Sequence, residues 1–308
     1  MNAVCKFVVA LALVLGAGVA SAETGRELLA SIEAKAGPQA HRHRGVDAPG
    51  TRDRAGGGGA YAAVGALVDG FHAGDPDAQV TGIVVAARAS TAVLKRAVEL
   101  GANVVITRTS FYNDSQDRPV SRPEPALAEK IDYIDKHQLM VLRLFDARTA
   151  PAGLAIATAL PEAIGLKSGR VATNIADGLV YRGAPVSVLS IVRRIKAALP
   201  TRTVRLIGDP NMMVRGIAIA TETSRPNALN ALVGRDDVEL VICGELHETE
   251  TGPYVLDSNS IGRPKALLIV GTIQMQEPAA RKIAQWLPGI TNKPVTYVST
   301  GDPYIEVE

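Results

Sequence analysis

The chain has 308 residues, 47% of them hydrophobic, which is enough apolar side chain for a substantial core and excludes disorder of the whole. A formal net charge of +2, from 33 basic and 31 acidic residues, gives no electrostatic case for nucleic acid or for an anionic membrane as partner.

Residues 1–22 carry one basic side chain, Lys6, then an apolar run from Phe7 to Ala20 and the small-x-small triplet Ala20-Ser21-Ala22. This is the pattern of a cleaved signal peptide. A run of about 14 residues falls short of the ~20 that a membrane-spanning helix needs. The expectation is a mature protein that begins at Glu23, is periplasmic or secreted, and has no membrane segment. Cys5 lies too early to be a lipidated cysteine. The mature chain then holds Cys243 alone and has no internal disulfide, and the place of Cys243 in an apolar run reads as a small hydrophobe.

Residues 24–36 predict a short helix, with Thr24 as its cap and Leu28, Leu29 and Ile32 on one face. Residues 37–59 have no periodicity and contain Pro49-Gly50 and Gly56–Gly59, so they predict a flexible linker. His41 and His43 in that linker are assigned no function.

From residue 60 the pattern alternates. Residues 60–73 predict a helix, 80–87 a strand, and Ser90 caps a helix that Gly101 stops; 104–107 is the next strand. A helix over 125–137, a strand over 139–144 and a helix over 152–164 continue it. After a β-rich passage over 171–181, a helix over 186–199 opens a second lobe with strands at 203–207 and 214–221. Such alternation predicts an α/β fold of two lobes, about 60–170 and 171–308, with mainly parallel sheets flanked by helices. Gly-Asp-Pro recurs at 74–76, 208–210 and 301–303 as turn chemistry. His72 and His137 stand singly on predicted helices or their ends and read as solvent-exposed or structural.

The second lobe ends in its most informative stretch. Apolar runs at 240–243 and 266–270 each stop at a glycine, Gly244 and Gly271, as buried parallel strands do. Ligands of open α/β sheets bind outside the carboxyl ends of the strands, which makes Glu245, His247, Glu248, Thr272, Gln276 and Glu277 candidates for a site. Pro278 is expected in the first turn of the helix that follows. No nucleophile elbow, phosphate-binding Walker loop or dinucleotide glycine fingerprint occurs.

Gly244-Glu245, Tyr254-Val255-Leu256-Asp257, Gly271, Glu277-Pro278 and Ala284-Gln285-Trp286-Leu287, with Gly101-Ala102-Asn103 and Phe111-Tyr112 in the first lobe, resemble the Nif-three-like family. These are the dinuclear metal centre hexameric proteins, also known as GTP cyclohydrolase I type 2 homologues. The resemblance runs from about residue 60 to the C-terminus. It implies a Nif-three-like fold, a homo-oligomer, and ligands for two divalent ions at strand ends of both lobes. The frame matches, but the liganding positions fall on Arg108, Thr109, Thr272 and Gln276, and only Asp146 keeps a ligand type. One carboxylate does not hold a divalent ion that needs about four to six donors.

The reading that follows is an exported, metal-poor family member without a cofactor, acting as a non-catalytic binding or scaffold protein for an unidentified small molecule. The alternative is a metal-dependent hydrolase, GTP cyclohydrolase type 2-like, with divalent metal ions relocated to Asp146, Glu245, His247 and Glu277. A periplasmic solute-binding protein is a third reading. With metal absent, Arg108 is expected to form a salt bridge of about 4 Å or less with Asp146 across neighbouring strand ends.

Overall fold

The computed structural model describes residues 23–36, 69–112, 117, 119, 123–144, 156–166, 170–175, 178–220, 226–305 and 307. The expected signal peptide, the 37–59 linker with His41 and His43, the first nine residues of the predicted 60–73 helix, and Asp146 lie outside them.

Two mixed sheets make the fold. The first joins β1 (Gly70–Ala73), β4 (Met140–Arg143), β3 (Val104–Thr107), β2 (Ile83–Ala86) and β11 (Val295–Tyr297) in that order. Its last four strands are parallel, and β1 runs antiparallel to β4. The second has the order β5 (Arg170–Ile175), β6 (Gly178–Ser187), β8 (Met213–Ala220), β9 (Leu240–Cys243), β10 (Ala266–Ile269) and β7 (Arg205–Ile207). Here β8, β9 and β10 are parallel, and both edges are antiparallel. Every residue of β2, β3, β4, β9 and β10 is buried. That is why β2, β9 and β10 read as unbroken apolar runs and not as alternations, while β3 and β4 are apolar up to a last residue, Thr107 and Arg143.

Helices cover both faces of each sheet. On one face of the first sheet, Leu28 and Ile32 of α1 (Gly25–Ala36) pack with Ala280, Ile283 and Leu287; on the other, α2 (Thr91–Glu99) and α3 (Pro125–Lys136) supply Val93, Leu94, Ala97, Leu127 and Ile134. The second sheet is covered by α4 (Ile156–Ala163) and α5 (Val188–Ala198) on one face. Its other face meets α6 (Pro226–Val233) and α7 (Thr251–Ser260).

Local signals explain the helix starts. Ser90 Oγ accepts the Val93 N–H at 3.3 Å, the N-cap expected for α2. Thr24 and Glu27 cap α1 reciprocally, since the Thr24 hydroxyl accepts the Glu27 N–H and the Glu27 carboxylate accepts the Thr24 N–H. The three Gly-Asp-Pro turns share one construction. Gly74, Gly208 and Gly301 all have positive φ (82°, 120° and 83°). The aspartate of each, Asp75, Asp209 or Asp302, then accepts the N–H two residues on.

Two expectations are corrected. Residues 70–73 are strand β1, not the end of a helix: Phe71 pairs with Leu142 and packs on the first core, and tertiary pairing overrides the helical spacing of the preceding apolar residues. Pro278 is not in a first turn. Helix α8 (Thr272–Trp286) starts at Gly271, where φ is +108°, so Pro278 is its seventh residue. The proline forgoes only the bond to the Gln274 carbonyl. It stands between Met275, which packs in the second core, and Ala280, which packs in the first. Helix α8 thus leaves the second sheet and ends on the first, and β11 completes the first sheet after it.

Candidate functional site at the strand ends

The crevice rule points to the carboxyl ends of both sheets. Arg108 follows β3 on the face that carries Ile106, the face that α8 covers. It is 3% exposed. Its Nη1 donates to the Leu144 carbonyl at 2.7 Å, just beyond β4, and its Nε donates to Oε1 of Gln276 on α8 at 3.2 Å. Two of the candidate residues, 168 positions apart, therefore touch. Gln276 is also buried. A guanidinium has five donors and no lone pair, so it takes up the acceptors here and offers none. Thr109 is half-buried and its hydroxyl donates to the Ala87 carbonyl at 3.0 Å. The proposed partner of Arg108, Asp146, lies outside the described residues.

Thr272 does not join that group. It lies at the exposed start of α8 and lines a cleft of about 510 Å³ at the ends of β9 and β10, together with Gly244, Glu245, Gly271, Arg205 and Tyr304. Glycine permits close packing in its wall: a Cβ on Gly244 would collide with the Thr272 side chain and backbone, and one on Gly271, at φ +108°, would collide with the Gln274 amide. Gln274 is 1% exposed, donates from Nε2 to the Gly301 carbonyl and forms part of the wall.

The remaining candidates are not gathered. His247 and Glu248 are exposed, and Glu248 pairs with Arg205 at 2.6 Å. Glu277 is fully buried; its carboxylate accepts the Tyr297 hydroxyl and the Thr300 N–H, the latter at 2.8 Å. Burial raises the Glu277 carboxyl above its ordinary range, opposed by the Tyr297 and Thr300 hydrogen bonds, and the Tyr297 hydroxyl is pushed up to about 12, first by burial and then by Glu277. Glu277 thereby fastens β11 to α8. Among the described residues no group of three or more His, Cys, Asp and Glu side chains could hold a metal ion. Cys243 is buried within β9 and its thiol is pushed up to about 12, chiefly by burial, so it is inert as a nucleophile. His72 lies in β1, 3.5 Å from Asp117, and His137 caps the end of α3 against the Tyr133 ring.

On the other face of the first sheet lies a polar cluster that sequence reasoning missed. Asp117, 3% exposed and at φ 53°, accepts the Tyr112 N–H at 2.7 Å and Arg143 Nη1 at 2.8 Å. Lys130 of α3 donates to the Phe111 carbonyl and sits 3.9 Å over the Phe111 ring. Burial, then the nearby Arg88, lowers the Lys130 ammonium to about 8, against the pull of Asp117. The apolar spacing of α3 includes Lys130, which is the one sequence signal that it faces inward. Among the described residues no helix is long and apolar enough to cross a membrane.

The comparisons agree with this architecture. The family model described as Duf34/NIF3 (NGG1p interacting factor 3) matches residues 60–253. Among solved structures, the Staphylococcus aureus hypothetical protein SA1388 is 14% identical with a TM-score of 0.68, covering 92% of this chain and 99% of its own. A Bacillus cereus protein related to NIF3 is 12% identical with a TM-score of 0.65, covering 93% and 100%. Reduced HcgD from Methanocaldococcus jannaschii is 12% identical with a TM-score of 0.57, covering 74% and 88%. No curated protein sequence matches significantly. At these identities the solved structures establish the fold, two α/β sheets flanked by helices, and nothing of the chemistry.

Proposed function

The chain belongs to the Duf34/NIF3 family, and from that premise we propose that this member is an exported, non-catalytic binding or scaffold protein that keeps the oligomeric frame without a dinuclear metal centre. Its ligand is a small polar molecule held in the cleft bounded by Gly244, Gly271, Thr272 and Arg205. A cleft of about 510 Å³ lies within the range of small-molecule sites. Glu245, Arg205 and the Thr272 hydroxyl supply the few polar groups that such a site uses for orientation.

The observation that carries the metal reading is the place of Arg108. The described residues do not fit a divalent ion: a buried guanidinium stands between the Leu144 carbonyl and the Gln276 amide, where it brings a fixed positive charge and no lone pair. The Thr109 hydroxyl is turned to the Ala87 carbonyl, and the Glu277 carboxylate is held by Tyr297 and Thr300.

One preparation tests both parts. Protein recovered from the extracytoplasmic fraction of its host, purified without chelator, is expected to begin at Glu23 and to contain less than about 0.2 equivalents of Zn, Mn, Fe, Co or Ni per chain by mass spectrometry. A stoichiometry near one or two would end the metal reading, and an intact N-terminus on cytoplasmic protein would end the export reading.

A further inference from the structure

A second concavity, remote from the strand ends, has a different chemistry. It is about 240 Å³ in volume and lies where the β6–β8 ladder meets α5. Its polar lining is arginine: Arg182 on β6, Arg215 on β8 and Arg194 on α5, with no acidic residue among the lining side chains. Buried Tyr181 and Ile217 belong to the same wall.

The backbone brings the three together. The β6–β8 register passes from Arg182↔Gly216 to Val186↔Val214, so residues 183–185 stand opposite Arg215 alone. Such a bulge bends the strand and re-aims its side chains. Here it opens the hollow, and Gly183 and Gly165 at the rim carry no side chain to fill it: a Cβ on Gly183 would meet nothing within 4 Å, and one on Gly165 would lie 3.9 Å from Arg194 Nη1.

Charge then defines what fits. Arg182 shares the Asp237 carboxylate with Arg235, at 3.2 Å, and remains half-exposed. Arg194 and Arg215 are exposed and form no ion pair among the described residues. Like charges converging on one hollow repel one another, and a structure keeps them together at little cost when an anion comes between them. Guanidinium forks match the oxygens of phosphate in paired hydrogen bonds. The volume is below the ~300 Å³ at which pockets begin to enclose a whole drug-sized ligand, so it suits one small anionic group.

We propose that this pocket is a binding site for phosphate or for the phosphomonoester group of a larger molecule, separate from the strand-end cleft. The test is isothermal titration calorimetry of the full mature chain with inorganic phosphate and with glycerol 3-phosphate, at ionic strength matched with chloride. Saturable binding is expected, weakened at least about tenfold in the Arg194→Ala/Arg215→Ala double variant, because two charge-assisted contacts are lost. The Arg193→Ala variant removes the same charge one position along α5, outside the pocket, and is expected to bind within about twofold of the parent. Tighter binding of glycerol 3-phosphate assigns the site to a phosphomonoester, and binding of inorganic phosphate alone assigns it to the free anion. No saturable heat from either probe overturns the proposal. So does a response unaltered in the double variant, or one lost equally in Arg193→Ala. All three side chains are exposed, so the variants fold as the parent does.

Discussion

The two sheets end in contrasting ways. At the carboxyl ends of the first, long polar side chains turn on one another: Arg108 on Gln276 and the Leu144 carbonyl, Arg143 on Asp117, Lys130 on the Phe111 carbonyl. At the carboxyl ends of the second, Gly244 and Gly271 let the start of α8 pack close against β9, and Glu245 and Thr272 line a cleft. Among the described residues, polar side chains are tied to one another at the strand ends of one lobe and line a cleft at those of the other. Residue size and charge at the first positions after each strand decide which. Substitutions at the first set should therefore be read in stability, and those at the second in ligand binding.

The strongest way to break that contrast is Asp117→Asn. It withdraws the carboxylate from a buried guanidinium and is expected to cost about 3–5 kcal/mol in denaturant unfolding; a loss below ~1 kcal/mol would mean that the cluster is not a structural unit. Lys130 sharpens the same point through pH. Its folded-state value of about 8 lies below its ordinary 10.5, so between those values the unfolded chain holds the proton and the folded chain does not. Stability then rises with pH across that window, by at most about 3 kcal/mol. Lys130→Met is expected to abolish the rise; an identical pH profile in the variant would show that Lys130 titrates normally. The smallest effects separate the two lobes directly. Arg108→Met is expected to cost about 1–3 kcal/mol through loss of its buried hydrogen bonds, while Thr272→Val, on the exposed cleft rim, should lie within about 0.5 kcal/mol of the parent. Equal costs at the two positions would erase the distinction.

Much of the architecture follows from local chemistry. The strands at 104–107 and 240–243 are apolar runs closed by Arg108 and Gly244, and they appear where the runs lie because a strand buried on both faces has no polar alternation to blur its ends. Ser90 and Thr24 start helices because their hydroxyls satisfy N–H groups within the same turn. The Gly-Asp-Pro turns are equally local. The family resemblance names Arg108 and Gln276 among the candidates, but pairs Arg108 with Asp146.

What the sequence determined by itself, then, was whatever a short window of residues can satisfy alone: strand runs, caps and turns. Only the tertiary structure decided the rest. It made 70–73 an edge strand through pairing with β4, and it carried α8 across from the second core to the first with Pro278 inside it. It drew Arg182, Arg194 and Arg215 around one hollow and turned the Glu277 carboxylate onto Tyr297 and Thr300. These are contacts between residues far apart in the chain, and their energies depend on burial and on partners that no local pattern encodes.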